Sequence, residues 1–158
     1  MQKRIYIETT IPSSYYTLRT DGESLIRQKL TRQWWDEYAD IFTLTSSSAV
    51  ETELRQGTGK TTQDRLALLE GVEIFVSSIE ILQIAQIYID RLIMPKEPQG
   101  DALHLAFASF HKVDAMLTWN CTHLANPNKF DFITRINREL GLTTPELKTP
   151  HDYFGGAA

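Results

Sequence analysis

One cysteine, Cys121, stands alone among 158 residues, so no intrachain disulfide can form and the fold cannot rest on oxidation. A reducing, cytoplasmic setting is expected. Long apolar runs are missing as well: nothing approaches the roughly 18 consecutive apolar residues of a spanning helix, so no membrane association is expected. The basic start Met1-Gln2-Lys3-Arg4 is followed only by Ile5-Tyr6-Ile7 before Glu8, too short for the core of a secretory signal. The sequence has no Walker-type phosphate loop, no Gly-x-Gly-x-x-Gly turn and no Cys/His zinc spacing. A basic excess is lacking too, since 16 Lys and Arg face 20 Asp and Glu, for a net charge of −4. Proteins that hold nucleic acid by charge alone usually show the opposite balance. An enzyme is less bound by that rule, because metal ions offset carboxylate charge locally. With no repeat, low-complexity tract or long linker, residues 1–154 are expected to form one domain and 155–158 a disordered tail.

What is present suits a globular fold: 42% hydrophobic and 23% charged residues, enough to build a core without staples. Short β-rich runs alternate with longer helical patterns, which predicts an α/β domain. Residues 3–8 read as a first strand. Residues 23–39 read as a helix, with Ile26, Leu30, Trp34, Trp35 and Tyr38 near helical spacing. A strand over 41–45 runs into Ser46-Ser47-Ser48, a cluster suited to N-cap a helix that reaches Gln56 and stops at Gly57. A helix over 61–70 and a strand over 73–76 come next. Ser77 and Glu80 have capping-box spacing and open an apolar helix to about Ile93, stopped by Pro95 and Pro98. The pattern then predicts a helix over 101–112 and a strand over 113–119, its start capped by Asp114. A final helix over 129–140 ends at Gly141, and the segment containing Pro145 and Pro150 is expected to be irregular.

In open α/β sheets ligands bind beyond the carboxyl ends of the strands, so polar residues at those ends are the first candidates. Glu8 closes the first strand and Asn120 follows the fourth. Asp101 begins the helix before the fourth strand, and Glu53 lies on the helix after the second. Ala49, Val50 and Leu54 mark an apolar arc of that helix, and Glu53 falls inside it. A carboxylate aimed inward is costly unless paired or metal-bound. Each residue also has a plain alternative. Glu53 can be a rim residue, Glu8 a strand end reaching solvent, Asp101 a first-turn acid favoured by the helix dipole, and Asn120 a turn residue. Together they point to chemistry. Carboxylates crowded at one sheet edge repel one another, and hard cations such as Mg²⁺ or Mn²⁺, which prefer oxygen ligands, resolve that repulsion.

Ile5-Tyr6-Ile7-Glu8-Thr9-Thr10 resembles the opening of the PIN-domain family, where an acid followed by Thr or Ser ends the first strand. Glu53-Leu54-x-x-Gly57 is similar to the family's Glu-Leu-x-x-Gly. Asp101-Ala102-Leu103-His104-Leu105-Ala106 resembles its most recognisable helix start, and Leu117-Thr118-Trp119-Asn120 the strand end that supplies the fourth polar group. The four motifs occur in the family's order, and the likeness is to the toxin nucleases of type II, VapBC-like toxin–antitoxin pairs. The resemblance implies a three-layer α/β/α fold with a central parallel sheet. It implies Glu8, Glu53 and Asp101 as acids coordinating Mg²⁺ or Mn²⁺, with Asn120 completing the catalytic set. The implied activity is endoribonuclease cleavage of RNA by a metal-activated water, leaving a 5′-phosphate and a 3′-hydroxyl. An antitoxin partner and a homodimer are also implied.

Two positions depart from the pattern. The first acid is usually Asp, and Glu8 is longer by one methylene, about 1.5 Å. Asn120 is neutral where Asp is frequent. Both argue for one tightly held ion with a transient second, and they leave open an alternative, a weak or inactive RNA-binding or interaction module. Thr9, Thr10 and Thr118 are candidates for orienting ligands or water, though threonine is also common beside strands. His104, one turn after Asp101, reads as a packed, hydrogen-bonded histidine, with substrate contact as the alternative. His123 lies in a loop that can approach the site. Trp34 and Trp35 suit base stacking, core packing or a protein interface, and the helix that carries them is the expected protein-contact surface.

Overall fold

The structure, a computed structural model, describes residues 2–57, 59–97 and 99–154, and the expected tail at 155–158 lies outside them. The chain forms β1 (Arg4–Ile7), α1 (Thr10–Tyr15), α2 (Gly22–Tyr38), β2 (Thr43–Ser47), α3 (Ser48–Arg55) and α4 (Thr62–Ala67). Then come β3 (Glu73–Phe75), α5 (Ile79–Asp90), α6 (Gln99–Phe110), β4 (Ala115–Leu117), α7 (Pro127–Glu139) and β5 (Glu146–Lys148), followed by a 3-10 turn at Pro150–Tyr153. The five strands pair in parallel throughout, in the order β3-β2-β1-β4-β5. Parallel crossovers are right-handed, so connections running from β1 toward β3 and those serving β4 and β5 cover opposite faces. The packing agrees: α1 lies against α2 and α4, and α5 against α6. Ile5, Tyr6, Ile7, Met116 and Leu117 are shut from solvent, as expected for strands covered on both faces.

The direction of strand addition reverses between β1 and β4, which are neighbours, with Ile7 opposite Leu117. Residues just beyond this pair, Glu8 and Thr118 to Asn120, therefore share the crevice where open α/β sheets bind ligands. The serine cluster divides its labour. Ser46 and Ser47 belong to β2, and the Ser47 hydroxyl caps α3 by accepting from the Val50 N–H at 3.4 Å.

Several elements differ from expectation. Helix α1 was not foreseen: it has six residues, too few for a periodic signal, and Pro12 sits in its first turn, where a missing N–H costs nothing. The cap of α5 is Ser78 rather than Ser77, its hydroxyl accepting from Ile81 N–H. That helix ends at Asp90 because Leu92 turns into the left-handed region at φ 62°. The segment expected to be irregular instead adds β5, whose extended backbone is fixed by β4. Glu146 N–H donates to Asp114 O at 3.0 Å, and Thr118 N–H to Lys148 O at 2.9 Å. Asp114, just before β4, accepts instead from the Arg4 N–H at the start of β1 at 2.8 Å, so its side chain ties the two strands together at their N-terminal ends.

Trp34 is fully buried, with Tyr38, Phe42 and Tyr153 ring centroids at 6.2, 6.1 and 5.7 Å. It therefore offers no surface to bases or a partner, and Trp35 packs edge-on against Tyr15. The inner face of α2 runs through Thr31 and Trp34, which leaves Ile26 61% exposed. No helix among the described residues is long and apolar enough to cross a membrane. Trp34→Ala is expected to lower the unfolding free energy by about 3–5 kcal/mol. Trp34→Phe should cost clearly less, because it keeps a ring and removes an indole N–H that is buried without a partner. Urea denaturation of both variants measures the difference, and equal losses would contradict this packing account.

Candidate active site

Glu8 follows β1 directly and is 4% exposed. A carboxylate so placed needs donors, and three converge on its Oε1. They are the Thr10 N–H at 3.1 Å, the Thr10 hydroxyl at 2.5 Å and the Thr118 hydroxyl at 2.6 Å. Thr10 also accepts from the Trp119 N–H at 2.8 Å, which ties the start of α1 to the end of β4. The other oxygen, Oε2, faces His104 Nε2 at 3.9 Å.

Glu53 projects from α3 beside the buried Val50 and Leu54. Its Oε1 accepts from the Thr9 hydroxyl at 2.8 Å and bonds His104 Nε2. Its Oε2 lies against Gly100, where a Cβ would stand only 2.9 Å away. His104, on α6, is fully buried, and its Nδ1 bonds the Tyr6 hydroxyl at 2.7 Å. Tyr6 in turn reaches the Ser47 hydroxyl at 2.7 Å. Burial pushes His104 down, but the bond to Glu53 and the charges of Glu8, Glu53 and Asp101 lift its pKa above the ordinary histidine value. Burial pushes Glu53 up, yet His104 and the Thr9 hydroxyl outweigh it and hold the carboxyl below its usual value. Burial also drives the Tyr6 hydroxyl well above 10, so it remains protonated.

Asp101 occupies the first turn of α6 and is 6% exposed. Oδ1 accepts from Asn120 Nδ2 at 3.0 Å, while Oδ2 is buried with no hydrogen-bond partner. Burial raises its pKa, against the pull of Asn120 and of the charges of His123 and His104. Asn120 donates its backbone N–H to Thr118 Oγ1 at 2.9 Å and accepts at Oδ1 from the His123 N–H at 3.0 Å.

The candidates thus fall into two linked groups. Glu8, Glu53, His104, Thr9, Thr10 and Thr118 make one hydrogen-bonded group. Asp101, Asn120 and the His123 backbone make the other, with Thr118 bonded to both. His104 is packed and hydrogen-bonded, as its sequence position suggested, but its partners are candidate acids rather than inert core. Sequence reasoning missed Tyr6, Ser47 and Gly100. The apolar run of β1 hid the first, capping accounted for the second, and nothing marked Gly100 as a close approach.

The donor chemistry suits a hard divalent cation: carboxylate oxygens, no thiolate, and an orphaned buried oxygen on Asp101. As the side chains stand, no three Asp, Glu, His or Cys among the described residues are close enough to share an ion. Glu8 and Glu53 are turned toward His104, and side-chain rotation would be needed for them to share an ion with Asp101.

No protein-family profile matches the chain, and a comparison with curated proteins returns no match. Solved structures do match. A chain of a toxin–antitoxin complex from Klebsiella pneumoniae aligns at TM-score 0.58 and 18% identity, over 79% of this chain and 93% of that one. VapBC-1 from nontypeable Haemophilus influenzae aligns at 0.58 and 13%, over 94% and 98%. Mycobacterium tuberculosis VapC20, a toxin that cleaves the sarcin–ricin loop, aligns at 0.56 and 13%, over 71% and 86%. The chain has the PIN-type fold of these toxin–antitoxin proteins, a parallel five-stranded sheet between helices.

Gly100→Ala tests the geometry of the site. Alanine is favoured in a helix by up to about 1 kcal/mol, but strain on the Glu53 bonds to Thr9 and His104 offsets that gain, so thermal stability should not rise. The added methyl must displace the Glu53 carboxylate, so divalent-cation affinity, measured by calorimetry, should fall. Unchanged affinity would remove Glu53 from the cation site. A pH effect is also expected. The folded pKa of His104 lies above its unfolded value near 6.5. Its contribution to stability is therefore fully present below about pH 6.5 and lost as pH rises through the folded value. In EDTA, the melting temperature of the unsubstituted protein should drop more between about pH 6 and 9 than that of His104→Gln.

Proposed function

We propose that this protein is a metal-dependent endoribonuclease of the toxin type, with Glu8, Glu53, Asp101 and Asn120 as its catalytic set. The observation that carries the reading is the orphaned Asp101 oxygen beside two further buried or half-buried carboxylates, at the switch point of a parallel sheet. Glu8, Glu53 and Asp101 would hold Mg²⁺ or Mn²⁺, which when bound supplies the charge for attack of water on a phosphodiester. The threonine hydroxyls hold the Glu8 and Glu53 carboxylates in place at the carboxyl end of the sheet. Asn120 fixes the Asp101 carboxylate by one oxygen and leaves the other for a ligand. Neutral Asn120 favours one tightly held ion with a transient second. The fold shared with toxin–antitoxin proteins supports an antitoxin partner; a homodimer is proposed beside it, and α2, which exposes Leu25 and Ile26, is the surface assigned to protein contact.

The test incubates purified protein with labelled structured and unstructured RNAs in Mg²⁺, Mn²⁺ or EDTA. Cleavage to 5′-phosphate and 3′-hydroxyl ends should need the metal. Asp101→Asn should reduce it by about 100-fold or more, beyond the loss typical of residues that only orient a ligand. Cleavage surviving that substitution would place the chemistry elsewhere. A second reading, a weak or inactive RNA-binding or interaction module, draws support from His104. Its imidazole bonds Glu53 and stands 3.9 Å from Glu8, so it offers both acids a partner of opposite charge in place of a metal. Cation binding without cleavage of any RNA would favour that reading.

A further inference from the structure

A second polar cleft opens beside the acids, on the far side of Thr10. Its volume is about 230 Å³, and its walls include Thr10 and Ser13 of α1, Ser24 and Arg27 of α2, Arg65 of α4, and Arg19 from the α1–α2 connection. Hydroxyls and guanidinium groups line it, with no carboxylate and no apolar side chain. In a chain of net charge −4 this is a local reversal of sign. Arg27 is fixed there by Glu23 at 2.9 Å and lies over the Trp119 ring, 5.3 Å from its centroid, one residue before Asn120. Arg65 anchors one terminal nitrogen on Ser13 O at 3.3 Å, while its Nε is buried without a partner. Among the described residues, neither Arg19 nor Arg65 has a carboxylate within salt-bridge distance. Thr10 is the shared wall, since its hydroxyl donates to Glu8.

We propose that this cleft is a phosphate subsite that holds an RNA backbone phosphodiester next to the one presented to the acids. The inference rests on the nuclease reading for its substrate. RNA approaching three carboxylates is repelled unless cations hold the strand nearby, and guanidinium groups match phosphate oxygens in charge and geometry. An acidic protein segment would meet the same arginines. The hydroxyls that stand among the arginines suit the oxygens of a phosphodiester better than a peptide carrying apolar side chains.

The test is fluorescence anisotropy of a labelled single-stranded RNA across a salt series, in EDTA so that cleavage does not intrude. Each arginine lost from the cleft should lower the slope of log affinity against log salt by about 0.7. Arg19→Gln, Arg65→Gln and their combination are expected to follow that rule. Arg138→Gln, which removes the same charge from α7 outside the cleft, should leave the slope unchanged. If Arg65→Gln unfolds by circular dichroism, the exposed Arg19→Gln carries the test alone. Unchanged slopes, or an equal effect of Arg138→Gln, overturn the subsite. So does loss of polyglutamate binding in Arg19→Gln with RNA binding intact, which would assign the cleft to an acidic protein. Metal-dependent cleavage with unchanged slopes sinks the subsite alone. Lowered slopes without any cleavage sink the nuclease reading alone.

Discussion

Glu8 carries a carboxylate into the closed end of a parallel sheet, and the surrounding structure answers the cost of burying it. An unpaired charge there would shift its protonation or destabilise the fold. Instead one oxygen takes three donors, and the other faces His104. The donors come from α1 and from the end of β4, segments that meet only because β1 and β4 are neighbours. His104 extends the same logic through α6 to Glu53 on α3 and back through Tyr6 to Ser47 on β2. Formation of the site and closure of the central sheet are thus one event. A substitution that loosens this network acts on stability as well as on chemistry.

The main site candidates could be read from sequence because they depend on topology more than on side-chain detail. Glu8 and Asn120 stand immediately after strands, and an α/β alternation brings strand ends to one edge. Glu53 betrayed itself by lying in an apolar arc, and Asp101 by opening a buried helix. The positions that escaped depend on contacts across the fold. The Tyr6 side chain counts as apolar in a strand pattern, and only its neighbours turn the hydroxyl into a link between Ser47 and His104. Gly100 matters because a methyl group there would meet the Glu53 carboxylate, which no local rule reveals. Strand β5 has only three residues and takes its extended form from β4. Trp34 shows the converse. Helical spacing with Leu30 and Tyr38 left core and interface equally open, and the aromatic packing of Phe42 and Tyr153 decided it.

The carboxylates of the site are not equivalent, and the difference says where a cation gains most. Burial pushes Glu53 up, but His104 and Thr9 satisfy it so fully that its pKa ends low. Burial pushes Asp101 up as well, and there the Asn120 bond and the histidine charges do not compensate, because one oxygen has nothing to bond. A dication near Asp101, if bound as proposed, would relieve an existing penalty. At Glu53 it must replace an imidazole already in place, so the net gain there is smaller. Glu8, held by threonine hydroxyls, can offer only its second oxygen without losing those bonds. For the proposed cation, the hydrogen bonding would favour Asp101 first, with the two glutamates joining only on rotation away from His104. This order agrees with a neutral Asn120: the strongest unmet demand for positive charge sits at one carboxylate, which one ion can meet.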